Sequence, residues 1–266
     1  MKHLHTFAVC AYRESPYLEE CIRSLLAQTV PANILVATST PNAFIEGIAK
    51  KYGLPLFINH GGGGITQDWN FAYARAQTPY VTIAHQDDVY EPDYLACVLE
   101  KMESSSKPLL FFSDYYEIRE GEKTYQNRLL QIKRLMLLPI RLPGAQRSRW
   151  IRRRILSLGS PICCPSVAYA KENLPHAVFR HGFRSCEDWE AWEMISRLRG
   201  DFLYSSKPLM GHRIHEDSET SAIIGDHMRT QEEYIMYCKF WPEKIAGALS
   251  RQYAKAQNSN RLERSE

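Results

Sequence analysis

The sequence predicts an α/β fold with a parallel central sheet flanked by helices. Two observations carry this. Short apolar runs at residues 6–12, 33–37, 55–58 and 80–84 are each followed by a turn and then a segment with helical spacing. Such alternation implies parallel strands joined by crossover helices. At 266 residues the chain is long enough for one large α/β domain with an appendage. Its 44% hydrophobic and 24% charged content suits a soluble globular protein, and a net charge of +3 is too small to argue for a nucleic-acid partner.

Residues 6–12 are the first buried strand. Ser15 is placed to cap the helix that follows, with Pro16 at its first position and Leu18, Cys21, Ile22, Leu25 and Leu26 recurring at helical spacing. Residues 33–37 form the second strand and residues 38–42 a turn. A helix over 43–52 and a strand over 55–58 complete two βα units. Gly61 to Gly64 is a run that only glycine populates freely, ahead of a helix over 66–76. A glycine loop before a helix can cradle phosphate, but this one lacks the Lys-Ser/Thr of a P-loop and the GxGxxG spacing. A turn that lets helix and strand pack is the simpler reading.

Residues 80–84 (Tyr-Val-Thr-Ile-Ala) form the strand on which the chain is organised. It breaks into His85-Gln86-Asp87-Asp88, and Pro92 precedes a helix over 94–101. Alone, an Asp-Asp pair is more often a solvated turn. At the carboxyl end of a parallel strand, where α/β sheets bind ligands, it can also hold a hard divalent cation shared with a diphosphate.

A strand over 109–114 follows, with Asp114 at its end and residues 115–118 able to continue it. From 123 to 171 there is no acidic residue; Arg and Lys alternate there with Leu and Trp150. That pattern suits a helical insert facing anionic lipid headgroups or an anionic acceptor, and equally a solvated surface with Arg side chains laid over apolar ground. After a strand within 161–170, Ser185 or Cys186 can cap a helix running through Leu198, and the helix dipole alone explains Glu187 and Asp188 in its first turn. A last strand is expected at 202–204, then Gly211 to Ser218, dense in possible ligands. A helical segment over 228–253, broken by Pro242, leads to a polar, frayed tail from Asn258. Seven cysteines in loose spacing fit neither a disulfide framework nor a zinc site. No signal-peptide core or run of about 18 apolar residues is present, so the cytoplasm is the expected home, with peripheral contact at the inner face of the membrane.

In this order the segments resemble the family 2 glycosyltransferases of GT-A fold. Residues 7–29 resemble the family's opening strand and helix, and residues 86–92 its acidic metal motif down to Pro92. Residues 186–192 resemble the acidic-Trp motif that carries the catalytic base. Residues 213–218 resemble the late segment that closes on the donor. The resemblance implies a GT-A domain over 1–225, α/β with a Rossmann-like, mixed, mostly parallel central sheet flanked by helices: a nucleotide-sugar half (1–118), a basic helical insert (119–160) and an acceptor half (161–225), followed by C-terminal helices (226–266). It implies an inverting, metal-dependent transfer from a nucleotide-diphosphate sugar, a UDP-sugar first, to a glycan or lipid-linked acceptor in bacterial surface polysaccharide assembly. Mn²⁺ or Mg²⁺ would be held by Asp88, Asp87 and His215. Ala11, Tyr12, Glu14, Ser39, Asn70, Gln86, Asp87 and Arg213 would face the donor, and Asp188 or Glu187 would be the base.

Two positions depart from the family pattern: Thr38 and Ser39 stand where an aspartate often meets uracil, and His85 where the metal motif often begins with Asp. Rival readings are a nucleotidyltransferase, a two-carboxylate hydrolase, and a degenerate, non-catalytic nucleotide-sugar binder or membrane-associated assembly protein.

Overall fold

Strand β1 (His5–Ala11) shows how both cores are built. Phe7, Val9 and Ala11 pack on one side with Leu18, Ile22, Ile45, Leu95 and Val98, while Ala8 packs on the other with Ala72, Tyr73, Trp192 and Ile195. A strand apolar on both faces needs helices on both faces. Helices α1 (Leu18–Leu26), α2 (Ala43–Lys51) and α4 (Tyr94–Ser104) supply one side, and α3 (Ile65–Arg75), α6 (Arg149–Leu156) and α7 (Glu187–Ser196) the other.

The computed structural model describes residues 4–215 and 228–262. Among them a nine-stranded sheet runs in the order β3-β2-β1-β4-β8-β6-β9-β5, where β5 is Val89–Tyr90, with β7 (Glu122–Thr124) paired to β6. Strands β1, β2 (Asn33–Thr38), β3 (Leu56–Ile58) and β4 (Tyr80–His85) are mutually parallel. Strand β8 (Val167–Ala170) runs antiparallel to both β4 and β6 (Pro108–Arg119), and β6 is parallel to β9 (Asp201–Ile214). The expected mixed, mostly parallel sheet is therefore present, with β8 the reversed strand inside it and β5 and β7 antiparallel to β9 and β6. The insert is helical as expected: α5 (Arg128–Met136), two 3₁₀ turns, then α6. Helices α8 (Met228–Cys238) and α9 (Glu243–Leu262) close the described chain on either side of Pro242, and α9 continues past Asn258, where a frayed tail was expected.

Three other expectations shift. Helix α1 begins at Leu18, and the Ser15 hydroxyl instead accepts from the Tyr17 N–H two residues on at 3.3 Å. Only 167–170 of the 161–170 segment is strand, because Pro165 has no N–H and Cys164–Ser166 forms a 3₁₀ turn. The last strand runs far beyond Tyr204. Ser205-Ser206-Lys207-Pro208 reads as a turn, yet the chain passes it as irregular pairing opposite Ser113 and Asp114 and resumes the ladder to Ile214. Gly211 permits this close pairing, since a Cβ there would lie 2.6 Å from the Tyr116 ring. The continuation carries His212, Arg213 and His215 to the end of β4.

Candidate active site

A cleft of about 770 Å³ opens where β1, β2 and β4 end, within the size range of small-molecule sites and at the expected edge of a parallel sheet. Cys10, Ala11 and Tyr12 leave β1, Ser39 and Thr40 leave β2, and His85, Gln86 and Asp87 leave β4 to form one wall. Gln86 fixes the first and third of these ends together: its amide accepts from the Tyr12 N–H at 2.9 Å and donates to the Tyr12 carbonyl at 3.0 Å. Arg13 turns the chain away at φ +52°, and its N–H meets the Thr40 hydroxyl at 2.6 Å, so the Tyr12 ring stays exposed at the cleft edge. Gly63 and Gly64 and the first turn of α3 continue this wall. There the Asp68 carboxylate accepts from the Ser39 hydroxyl at 2.7 Å and from the Asn59 amide at 2.8 Å.

On the floor, two carboxylates meet three imidazoles. His215 Nε2 lies 3.0 Å from Asp87 Oδ2, and His212 Nδ1 lies 3.0 Å from Asp88 Oδ1, which also accepts from the Arg213 N–H at 2.9 Å. His85 Nδ1 is 3.8 Å from Asp88 Oδ2. Burial works against the charge on Asp87, but the hydrogen bond from His215 and the nearby His85 and His212 outweigh it and hold the carboxyl below its usual range. Burial likewise pulls His85 down. For His212 burial is outweighed by Asp88, and its pKa is raised. Asp88 is fully buried, and among the described residues its Oδ2 has no hydrogen-bond partner, nor has His85 Nε2. Buried orphan acceptors are costly unless something occupies them. Ligand atoms of His85, Asp87 and Asp88 lie within 4.8 Å of one another, so this donor set fits a divalent cation.

The opposite wall comes from α7, α8 and the insert. Glu187 and Asp188 open α7 and line the cleft with Lys133, Arg184, Arg229 and Glu233. Asp188 is part-exposed, whereas Glu187 is buried. Burial raises the Asp188 pKa, opposed by the Trp189 N–H on its Oδ1 and by Lys133 and Arg229. A carboxylate poised in this way suits proton acceptance. Cys10, Cys163, Cys164 and Cys186 also line the cleft, but burial pushes each thiol upward, which disfavours the nucleophilic thiolate.

The sequence-predicted residues divide. Ala11, Tyr12, Ser39, Gln86, Asp87, His215, Glu187 and Asp188 line the cleft, with Asp88 buried beneath it. Glu14 is exposed and outside the lining. Asn70 is also outside it: its amide accepts from the Val178 and Phe179 N–H groups and donates to the Phe179 carbonyl, tying α3 to that loop. Arg213 is 8% exposed, with Nε on the Asp87 carbonyl at 2.9 Å, Nη2 on Glu20 at 2.7 Å, and its fork over the Tyr17 ring. It braces the acidic turn from behind. Glu216, Asp217 and Ser218 lie outside the described residues. Sequence reasoning missed His85 and His212 as cluster members, Asp68, and Lys133, whose ammonium donates to the Tyr115 hydroxyl at 3.0 Å. A strand continued to Ile214 would have put His212 and Arg213 on opposite faces and flagged the first.

Comparison with known proteins agrees with this architecture. Residues 6–158 match the family model described as Glycosyl transferase family 2. An uncharacterized glycosyltransferase, EpsJ of Bacillus subtilis (strain 168), is 26% identical over 141 residues, covering 51% of this chain and 41% of that relative. The chain therefore aligns with under half of the relative's length. Among solved structures, S. aureus TarS 1-349 in complex with UDP-GlcNAc superposes with a TM-score of 0.59 at 17% identity, covering 94% of this chain and 71% of that one. The mannosyltransferase PcManGT from Pyrobaculum calidifontis, in complex with GDP-Man and Mn²⁺, superposes with a TM-score of 0.60 at 14% identity, covering 97% and 75%. At these identities the likeness concerns the fold, which is GT-A. With its family model matched over more than half its length, the chain belongs to glycosyl transferase family 2.

Proposed function

We propose that the chain transfers a sugar from a nucleotide-diphosphate donor, a UDP-sugar first, to a hydroxyl of a glycan or glycolipid, inverting the anomeric carbon. A place in bacterial surface polysaccharide assembly is part of the same proposal. The observation that carries it is the pairing, across one cleft, of the Asp87-Asp88 imidazole cluster with the separate carboxylate Asp188. TarS with UDP-GlcNAc and PcManGT with GDP-Man and Mn²⁺ lend support as neighbours of the same fold.

In this reading the Tyr12 ring lies against the nucleobase, and Ala11, Gln86 and Ser39 frame it. Asp68, held by Ser39 and Asn59, supplies from α3 the carboxylate missing after β2 and accepts the imino N–H of a pyrimidine. Asp88, Asp87 and His215, joined by His85 and His212, would hold Mn²⁺ or Mg²⁺, which when bound neutralises charge on the departing nucleoside diphosphate. Because Arg213 is engaged inside the protein, the diphosphate role passes to Lys133. Asp188 takes the acceptor hydroxyl proton as that oxygen bonds to the anomeric carbon and the carbon–phosphate-oxygen bond breaks. Glu187, the buried neighbour in the same lining, is the second candidate for the base.

The test is product analysis with a panel of nucleotide sugars and hydroxyl acceptors. Expected are release of nucleoside diphosphate and a product of inverted anomeric configuration by NMR. Release of pyrophosphate would identify a nucleotidyltransferase, and retained configuration would remove the single-displacement mechanism.

A further inference from the structure

Helix α5 wears its polarity inside out. Lys133 and Arg134 point inward: Lys133 to Tyr115, and Arg134 to Asp114 at 3.3 Å and to the carbonyls of Tyr115 and Tyr125. The outward face carries Leu129, Ile132 and Leu135, the last 65% exposed, and the turn beyond it exposes Leu138 and Leu142. A solvated helix shows the opposite arrangement, and a run of exposed aliphatic side chains marks a surface that something covers.

The charge of the same insert says what. Among the described residues, the acidic groups that the insert's arginines meet are buried and paired: Glu117 with Arg119, Asp114 with Arg134 and Arg141, Asp201 with Arg147, and Glu193 with Arg153. Arg128, Arg149 and Arg154 are exposed, and no acid occurs between 123 and 171. Trp150, 70% exposed, adds the side chain most at home between headgroups and acyl chains. A second copy of the chain would bring one basic insert against another, which disfavours self-association.

We propose that α5 and the turn after it dock on an anionic phospholipid bilayer, with the exposed arginines on the headgroups and Leu129, Ile132, Leu135 and Leu138 at the acyl boundary. Lys133 lines the cleft from the same helix, so the cleft wall and the membrane face are two sides of one element. The site does not depend on the sugar-transfer reading.

The experiment is co-sedimentation of the full chain with vesicles of phosphatidylcholine alone or mixed with phosphatidylglycerol. Expected is binding to the mixed vesicles, weakened by salt, and a loss of about tenfold or more in Ile132→Gln/Leu135→Gln/Leu138→Gln. These positions are on the surface, and an unchanged thermal midpoint shows that the variant is folded. Three results would overturn the proposal. One is no binding by the wild type, and another is equal binding by the variant. The third is a dimer in sedimentation velocity that the variant dissolves, which assigns the face to a second copy.

Discussion

Asp188→Asn is expected to lower turnover by about 10²–10⁴-fold, the usual contribution of a positioned general base, while leaving donor binding unchanged. Asparagine keeps the shape and the contact with the Trp189 N–H at Oδ1 but cannot take a proton. The loss corresponds to about 3–5 kcal/mol of transition-state stabilisation. Burial raises the Asp188 pKa, so the wild-type rate falls as pH drops through a value above the ordinary aspartate range, where the base becomes protonated. The variant loses that acid limb. Glu187→Gln is expected to cost less, because Glu187 is buried and Asp188 is the part-exposed member of the pair. A steady-state pH profile of both variants checks this; full activity in Asp188→Asn would show that the base is elsewhere.

Arg152→Leu is expected to lose about 3 kcal/mol or more of stability, seen as a fall in Tm on the order of 10 °C. Arg152 is almost fully buried, and burial lowers its pKa to about 10, so it stays charged at neutral pH. It donates from Nε to the Ser196 carbonyl at 3.0 Å and from Nη1 to the Gly200 carbonyl at 2.6 Å, with Nη2 on Leu198. These carbonyls cluster at the C-terminal end of α7, the helix whose first turn presents Asp188. Leucine fills part of the space but removes the donor from three carbonyls, the Ser196 bond being buried and the other two part-buried. Lysine restores the charge without the fork, so Arg152→Lys should recover only part of the loss. Arg153→Gln is the control: Glu193 keeps Arg197 at 2.8 Å, and a small effect is expected there. An unchanged urea midpoint in Arg152→Leu would show that these carbonyls are satisfied another way.

Arg152 also shows where the sequence misleads. Arg152, Arg153 and Arg154 read as one basic surface patch. In the fold the first is buried against α7, the second pairs with Glu193 and the third stacks on Trp241. Helical position, not composition, decides this, and a run of arginines says nothing about phase. The strands that frame the cleft were legible because a strand buried on both faces must be a continuous apolar run, as in β1, β2 and β4. Asp87-Asp88 and Asp188 were legible as local motifs. His212 was not, because the Ser205 to Pro208 irregularity hides the second half of β9. Asp68 and Lys133 were not either: each is an ordinary helix residue until tertiary packing aims it into the cleft. Asn70 and Arg213 carry the opposite lesson, since polar side chains in promising segments brace a loop and a turn.

The most direct measurement is the thermal midpoint of the full chain with UDP, GDP or dTDP, each with and without Mn²⁺. A ligand at roughly a hundredfold above its Kd adds about 2.7 kcal/mol to the native state by mass action, enough for a rise of several degrees. Expected is a rise that needs both nucleotide and Mn²⁺, largest with UDP, and absent in Asp88→Asn. No rise with any nucleotide, with or without the metal, would contradict the donor site at the end of β4 and leave the sugar-transfer reading without its substrate.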